Sequence, residues 1–201
     1  KRRKQMSKCP LLRSFAIYLT SFMELINTSF EGVQVISPTL FKDERGHFFE
    51  SYQKEKWALG VDFIQDNEAF STKGVLRGLH YQLPPYAQSK LVRVVKGEVL
   101  DVIVDLRPGS ATFGKHLSLI LSGTNQKQMF VPKGFAHGYI VLSNEAIFAY
   151  KCDAYYHKES EAGIKWDDPA LGIDWILSND HIILSQKDKE LPLFQDHIPF
   201  K

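Results

Sequence analysis

From Val33 onward the chain repeats one pattern, in which short apolar–polar alternations are each closed by glycine, proline or a small polar pair. Val33, Val35 and Ile36 lead to Pro38, and Leu91–Val95 ends at Lys96-Gly97. In Glu98–Leu106, Leu100, Val102, Val104 and Leu106 face one way and Asp101 and Asp105 the other, up to Arg107-Pro108-Gly109. Leu117, Leu119 and Leu121 alternate with His116, Ser118 and Ser122 before Gly123, and the apolar run Tyr139–Tyr150 is interrupted at Ser143-Asn144. A period of two is that of a strand, whose successive side chains point to opposite faces. Such segments recurring every ten residues or so between turn residues predict an all-β sandwich or barrel. Helical periodicity is weak, with short helices expected at Ser51–Leu59 and Ser185–Leu193. No repeat or low-complexity linker divides residues 23–201, so one domain is expected there.

The formal charge of +2 suggests a mildly basic protein, but its location reverses the reading. Residues 1–22 hold Lys1, Arg2, Arg3, Lys4, Lys8 and Arg13 and no acid, which leaves 19 basic against 23 acidic side chains, a net of −4, for the remainder. Bulk charge therefore gives no reason to expect a nucleic-acid partner. Residues 1–22 are expected to precede a natural start at Met23 and to stand outside the fold. A signal or transit segment and a genuine arm are the alternatives. The basic start before Leu11–Phe22 favours a signal segment, while Arg13 and the lack of a small-x-small cleavage site oppose it. No apolar run reaches the roughly 18 residues of a membrane span, so no membrane partner is expected. With Cys9 set aside, the domain keeps only Cys152. A domain without an internal disulfide suits a reducing compartment, and a cytoplasmic location is expected.

Three polar clusters interrupt the strands. In Gly74-Val75-Leu76-Arg77-Gly78-Leu79-His80-Tyr81-Gln82, Arg77 and His80 are three apart. On a regular strand they point to opposite faces, so they share a pocket only if Gly78 bends the chain. Taken alone, the segment also suits a strand with a satisfied core histidine. The second cluster, Pro132-Lys133-Gly134-Phe135-Ala136-His137-Gly138-Tyr139, has the Pro-x-Gly-x-x-His spacing of a cupin motif before an apolar strand. No second histidine lies two residues beyond His80, and two histidines without a nearby carboxylate ligand make a poor metal site. A cupin fold with no metal is therefore expected. In the third cluster, Tyr150-Lys151-Cys152-Asp153-Ala154-Tyr155-Tyr156, the tyrosines suit a core, an interface or a cavity with the hydroxyls turned inward.

Taken together these residues resemble the dTDP-4-dehydrorhamnose 3,5-epimerase family of non-metal cupins, from Met23 to about Phe194. The resemblance also rests on Asp43-Glu44-Arg45-Gly46-His47-Phe48-Phe49-Glu50, Gln65-Asp66-Asn67, Lys90-Leu91-Val92, Trp166-Asp167-Asp168-Pro169 and Leu184-Ser185-x-Lys187-Asp188. It implies a jelly-roll (double-stranded β-helix) barrel with a few short helices. It also implies an epimerase that inverts C3 and C5 of a dTDP-4-keto-6-deoxyhexose on the route to dTDP-L-rhamnose for cell-surface polysaccharide, with no redox cofactor or metal. A relative that inverts only C3 or only C5 is the nearest alternative, with a metal-dependent cupin enzyme and a non-catalytic sugar-nucleotide-binding cupin as the others. By this resemblance His80 is the base, with Asp188 its partner and Asp101 a weaker candidate for that place. Tyr150 is the acid, and Lys90 counters charge on the C4 oxygen. Arg77 and Arg45 match the pyrophosphate clamp. Phe48, Glu50, Gln65, Asn67, His137, Glu161 and Lys187 match further substrate contacts, and Tyr156, or Tyr155 beside it, the residue on which thymine stacks. The Arg45–Glu50 segment is expected to reach the site of a partner subunit in a homodimer. An acidic domain that takes a dianionic nucleotide needs a local cationic pocket, expected of Arg45, Arg77 and Lys90.

Overall fold

The computed structural model describes residues 23–200, so the expectation for residues 1–22 falls outside the described residues. In chain order the strands are β1 Met23–Asn27, β2 Gln34–Pro38, β3 Phe41–Asp43, β4 Gly46–Phe48, β5 Gln65–Thr72, β6 Leu76–Gln82, β7 Lys90–Lys96, β8 Glu98–Asp105, β9 His116–Ser122, β10 Gln128–Val131, β11 Phe135–Val141, β12 Glu145–Cys152 and β13 Glu161–Gly163. Six form one sheet in the order β1-β2-β10-β7-β12-β5, five form another in the order β13-β6-β11-β8-β9, and β3 and β4 form a separate hairpin. The named strands pair antiparallel throughout. The jelly-roll expectation is met.

Alternation alone does not show how deeply β8 is buried. Leu100, Val102, Val104 and Leu106 pack against Ile164, Trp166, Leu171 and Trp175 of the C-terminal segment. On its other face Val99 and Ile103 join Val92, Val94, Met129, Phe148 and Val141 between the sheets. Asp101 and Asp105 share that second face and are fully buried. Removal of apolar surface from both faces supplies the main driving force, roughly 1.5–3 kcal/mol for each large side chain fully buried. A third cluster of Ile36, Leu91, Phe130 and Trp57 closes the outer side of the six-stranded sheet.

The helices are shorter than the sequence suggests. Where Ser51–Leu59 was expected, α1 spans Lys54–Trp57, with the Gln53 side chain accepting from Lys56 N and Ala58 ending it at φ 46°. Where Ser185–Leu193 was expected, α2 spans Gln186–Lys189. Pro192 disfavours a helical Leu191, and the Pro192 carbonyl instead accepts from Lys165 N. No helix among the described residues is long and apolar enough to cross a membrane.

The space between the sheets changes character along its length. Side chains facing it on β12 run Ala146, Phe148, Tyr150, and on β7 Val94, Val92, Lys90. Apolar packing thus gives way to polar groups at one end, and the site lies there.

Candidate active site

Arg77 and His80 come to one cavity because β6 is bulged. The pairing of β6 with β11 runs His137↔His80 and then Tyr139↔Arg77, so three steps on β6 match two on β11. Gly78 provides the extra residue at φ +128°, and a Cβ there would lie 2.5 Å from Gly138 Cα and 2.8 Å from the His137 oxygen. Glycine alone fits such a close approach at that backbone angle. The bend that a shared pocket required is present.

His80 Nε2 lies 2.5 Å from Asp188 Oδ1. The carboxylate comes from α2, whose N-cap Ser185 accepts from Asp188 N and donates its hydroxyl to Asp188 Oδ2 at 2.9 Å. A proton held on Nε2 by the carboxylate leaves Nδ1 with its lone pair. Burial alone would raise the Asp188 carboxyl, but the bonds from His80 and Ser185 outweigh it and hold the group below the usual carboxylate range. Asp101, the weaker candidate for this partnership, instead meets His137 Nε2 at 3.0 and 3.1 Å. The barrel therefore holds two separate His–Asp pairs, and among the described residues no three metal-binding side chains converge.

A cavity of about 530 Å³ opens onto His80, Arg77 and His137 from the five-stranded sheet and onto Lys90 and Tyr150 from the six-stranded one. Asp188, Ser185 and Lys187 close it from the C-terminal segment. Burial pushes the Tyr150 phenol up to about 12. The Lys90 ammonium lies 6.0 Å from the centre of the Tyr150 ring, and burial pushes its pKa down against the opposing pull of Cys152, Asp101 and Glu161. Phe148 and Tyr139 stack at 4.0 Å between the centroids and form an apolar wall that sequence reasoning did not single out.

His80, Lys90 and Tyr150 also border a second cavity of about 290 Å³, which continues to Gln65, Asn67, Tyr156 and Glu161. Gln65 donates to Asn67 at 2.9 Å and accepts from the Tyr156 backbone at 3.0 Å. Glu161 accepts from the Tyr156 hydroxyl at 3.0 Å and from Lys187 at 2.6 Å. Burial would raise the Glu161 carboxyl, but those two donors hold it below its ordinary value. Tyr155, the alternative stacking residue, is 66% exposed and does not border this cavity. Gln82 and Gln88 do, and sequence reasoning passed over both. For Gln82 a signal was available, since it lies two residues beyond His80 and shares its side of the strand.

The expected cationic trio is not assembled within one chain. Arg45 sits on the β3–β4 hairpin with its side chain 83% exposed, bonded to Asp43, and borders neither cavity. Phe48 on the same hairpin is 67% exposed, and Glu50 pairs with Lys56 at 2.6 Å. The hairpin forms a two-stranded sheet of its own, apart from the two sheets that enclose the cavity. Of the expected trio, Arg77 and Lys90 line the cavity, and Lys187 joins them there.

Residues 27–196 match the family model described as dTDP-4-dehydrorhamnose 3,5-epimerase. The chain is 51% identical to the dTDP-4-dehydrorhamnose 3,5-epimerase of Shigella flexneri, over 83% of this chain and 93% of that protein. It is 47% identical to the enzyme of the same name from Escherichia coli, over 89% and 98%. The fold matches a crystal structure of a dTDP-6-deoxy-D-glucose-3,5-epimerase from Legionella pneumophila in complex with dTDP-4-keto-L-rhamnose, with TM-score 0.83, 50% identity and coverage of 87% and 94%.

Proposed function

This chain belongs to the dTDP-4-dehydrorhamnose 3,5-epimerase family, and we propose that it inverts C3 and C5 of dTDP-4-dehydro-6-deoxy-D-glucose to give dTDP-4-dehydro-L-rhamnose. The observation that carries this reading is one cavity lined from opposite sheets by a carboxylate-backed histidine and a half-buried neutral phenol, with an ammonium beside the phenol. The substrate's C4 ketone acidifies the C–H bonds at C3 and C5. His80 Nδ1 takes one of those protons, and the electron pair of the broken bond moves into the C4 oxygen as an enolate. Lys90 counters that charge in a site sheltered from water. Tyr150 then delivers its phenolic proton to the opposite face of the same carbon, and the ketone re-forms with the centre inverted. The imidazolium and the tyrosinate return to their starting states by proton exchange with solvent before the second centre reacts. A phenol raised to about 12 stays protonated at neutral pH and so keeps a proton to give. Asp188 steadies the ring and favours the imidazolium, as carboxylates do in other His–Asp pairs.

In this reading Arg77 holds the pyrophosphate with forked donors that lysine lacks. The second cavity takes the thymidine end, with Tyr156 stacking on the base. Gln65, Asn67, Glu161, Lys187 and His137 complete the contacts. Residues 23–201 act as one domain, and two such domains pair so that Arg45, Phe48 and Glu50 of each serve the site of the other. A reducing compartment suits the buried free thiol of Cys152.

The test is incubation of the 4-keto sugar nucleotide in deuterated water. Two deuterons, at C3 and C5, with rhamno product are expected. A single deuteron would reassign the chain to one-centre epimerisation, and no incorporation would remove the proton-transfer reading.

A further inference from the structure

The loop that carries Tyr155 and Tyr156 has no regular hydrogen-bonded structure between β12 and the turn at Lys158–Ser160. Something else must fix its shape. Beside Gln65, which accepts from the Tyr156 backbone at 3.0 Å, the side chain that bonds this loop on both flanks of Tyr156 is Gln82, 5% exposed at the end of β6. Its Nε2 donates to the Tyr86 carbonyl at 2.6 Å and to the Tyr155 carbonyl at 3.2 Å. Its Oε1 accepts from the His157 backbone at 2.7 Å. One amide therefore joins residues 155 and 157, which flank Tyr156, to the neighbouring loop at residue 86. There the Tyr86 and His157 rings stack at 3.8 Å and 1°. Gln88 adds a bond to the Ala154 carbonyl at 2.8 Å. Both glutamines border the second cavity together with Tyr156.

We infer that Gln82 is a positioning residue that fixes the Tyr156 loop for the base end of the nucleotide and takes no part in the proton transfers. This rests on the reading of the second cavity as the nucleoside subsite. The reason is one of geometry and chemistry. A half-exposed aromatic ring stacks well only if its backbone is held before the ligand arrives, because ordering a loop on binding subtracts from affinity. An amide supplies both a donor and an acceptor and carries no charge at any working pH. It can therefore hold two carbonyls and one N–H at once, which neither a carboxylate nor an ammonium can do.

The experiment compares wild type, Gln82→Glu and Gln88→Ala by calorimetric titration with dTDP and by turnover of the 4-keto sugar nucleotide. Gln82→Glu keeps the shape and the acceptor but turns a carboxylate oxygen toward two carbonyls. Gln82→Glu is expected to weaken dTDP binding and raise KM about tenfold, with kcat within about threefold of wild type. Gln88→Ala, which loses one of the loop's bonds, is expected to weaken dTDP binding about threefold with kcat unchanged. A role in general folding stability alone would lower the melting temperature without this split. The inference is overturned if folded Gln82→Glu binds dTDP within twofold of wild type, or if kcat falls while KM stays. Should Gln82→Glu not fold, Gln88→Ala decides, and unchanged dTDP binding there overturns the inference. Wild-type protein that itself fails to bind dTDP would instead undo the nucleoside reading of the cavity, a distinguishable result.

Discussion

Asp188 does two things at once, and its surroundings explain how. One oxygen meets His80 Nε2 and the other accepts from Ser185, so each oxygen of the buried carboxylate has a partner. With its carboxyl held below the usual range, the residue stays ionised through neutral pH. Replacement by asparagine keeps the size and a bond to Ser185 but removes the charge that, in the proposed mechanism, supports the imidazolium. It also permits the wrong tautomer of His80. Asp188→Asn is expected to lower kcat by about 10³–10⁴-fold with KM changed only a few-fold, measured by steady-state turnover beside dTDP titration. A fall of less than tenfold would deny Asp188 this role. The pair was legible in the sequence only through family resemblance, since 108 residues separate its members and nothing local links them. The competing candidate, Asp101, lies on β8 of the same sheet, one strand removed from β6. Strand register settles the matter, because β8 and β6 both flank β11 and Asp101 reaches His137 there.

At the scale of the element, the period of two made most strands readable, since it follows from backbone geometry alone. The bulge in β6 was readable as a requirement, because Arg77 and His80 cannot otherwise share a side. The lengths of α1 and α2 were not, because their ends are set by capping contacts and by Pro192 and not by propensity. Gly78 gives the sharpest test of the bulge. An added Cβ meets the backbone of Gly138 and His137, which cannot move aside as a flexible side chain would. Gly78→Ala is expected to destabilise by about 2–4 kcal/mol, read from the denaturation midpoint, and to reduce turnover beyond detection by displacing His80. Gly172→Ala serves as the control: φ is +59° there and nothing lies within 4 Å of the new methyl. It is expected to cost about 1 kcal/mol and leave turnover intact. Equal effects of the two would remove the special status of the bulge. A different element, the loop after β8, is tied by Asp105, which accepts from Arg107, Ser110 and Thr112. Burial would raise this carboxyl, yet those donors bring it down to about 2. A carboxyl with a depressed folded pKa stabilises above its unfolded value near 4 and loses that contribution as pH falls toward 2. The depression corresponds to about 2 kcal/mol. Asp105→Asn is therefore expected to be less stable than wild type at pH 7, with the gap closing between pH 4 and 2 in urea titrations. A gap independent of pH would contradict the assignment.

At the scale of the molecule, the acidic balance of residues 23–201 makes the location of cations decisive. One chain brings Arg77 and Lys90 to the cavity but leaves Arg45 outside, on a hairpin of two three-residue strands. A two-stranded hairpin is marginal in water by itself, and this one carries Phe48 largely exposed at its end. The ion pair of Arg45 with Asp43 is exposed to solvent, and such pairs are weak and easily exchanged for a better anion. A twofold arrangement would resolve all three features, because the patch each subunit offers is the patch the other needs. Mixing inactive chains tests this directly. A His80→Ala chain lacks the proposed base but offers an intact Arg45, while an Arg45→Ala chain lacks the proposed clamp but retains His80. Each variant alone is expected to be nearly inactive. In the proposed dimer, co-refolded mixtures would contain one site built from His80 of one chain and Arg45 of the other, so turnover is expected to return. Light scattering is expected to show a particle of twice the 23.0 kDa chain mass in every sample. If Arg45 served its own chain's cavity, every mixed site would lack either the base or the clamp. Activity would then stay at the level of the parents however long the chains were exchanged.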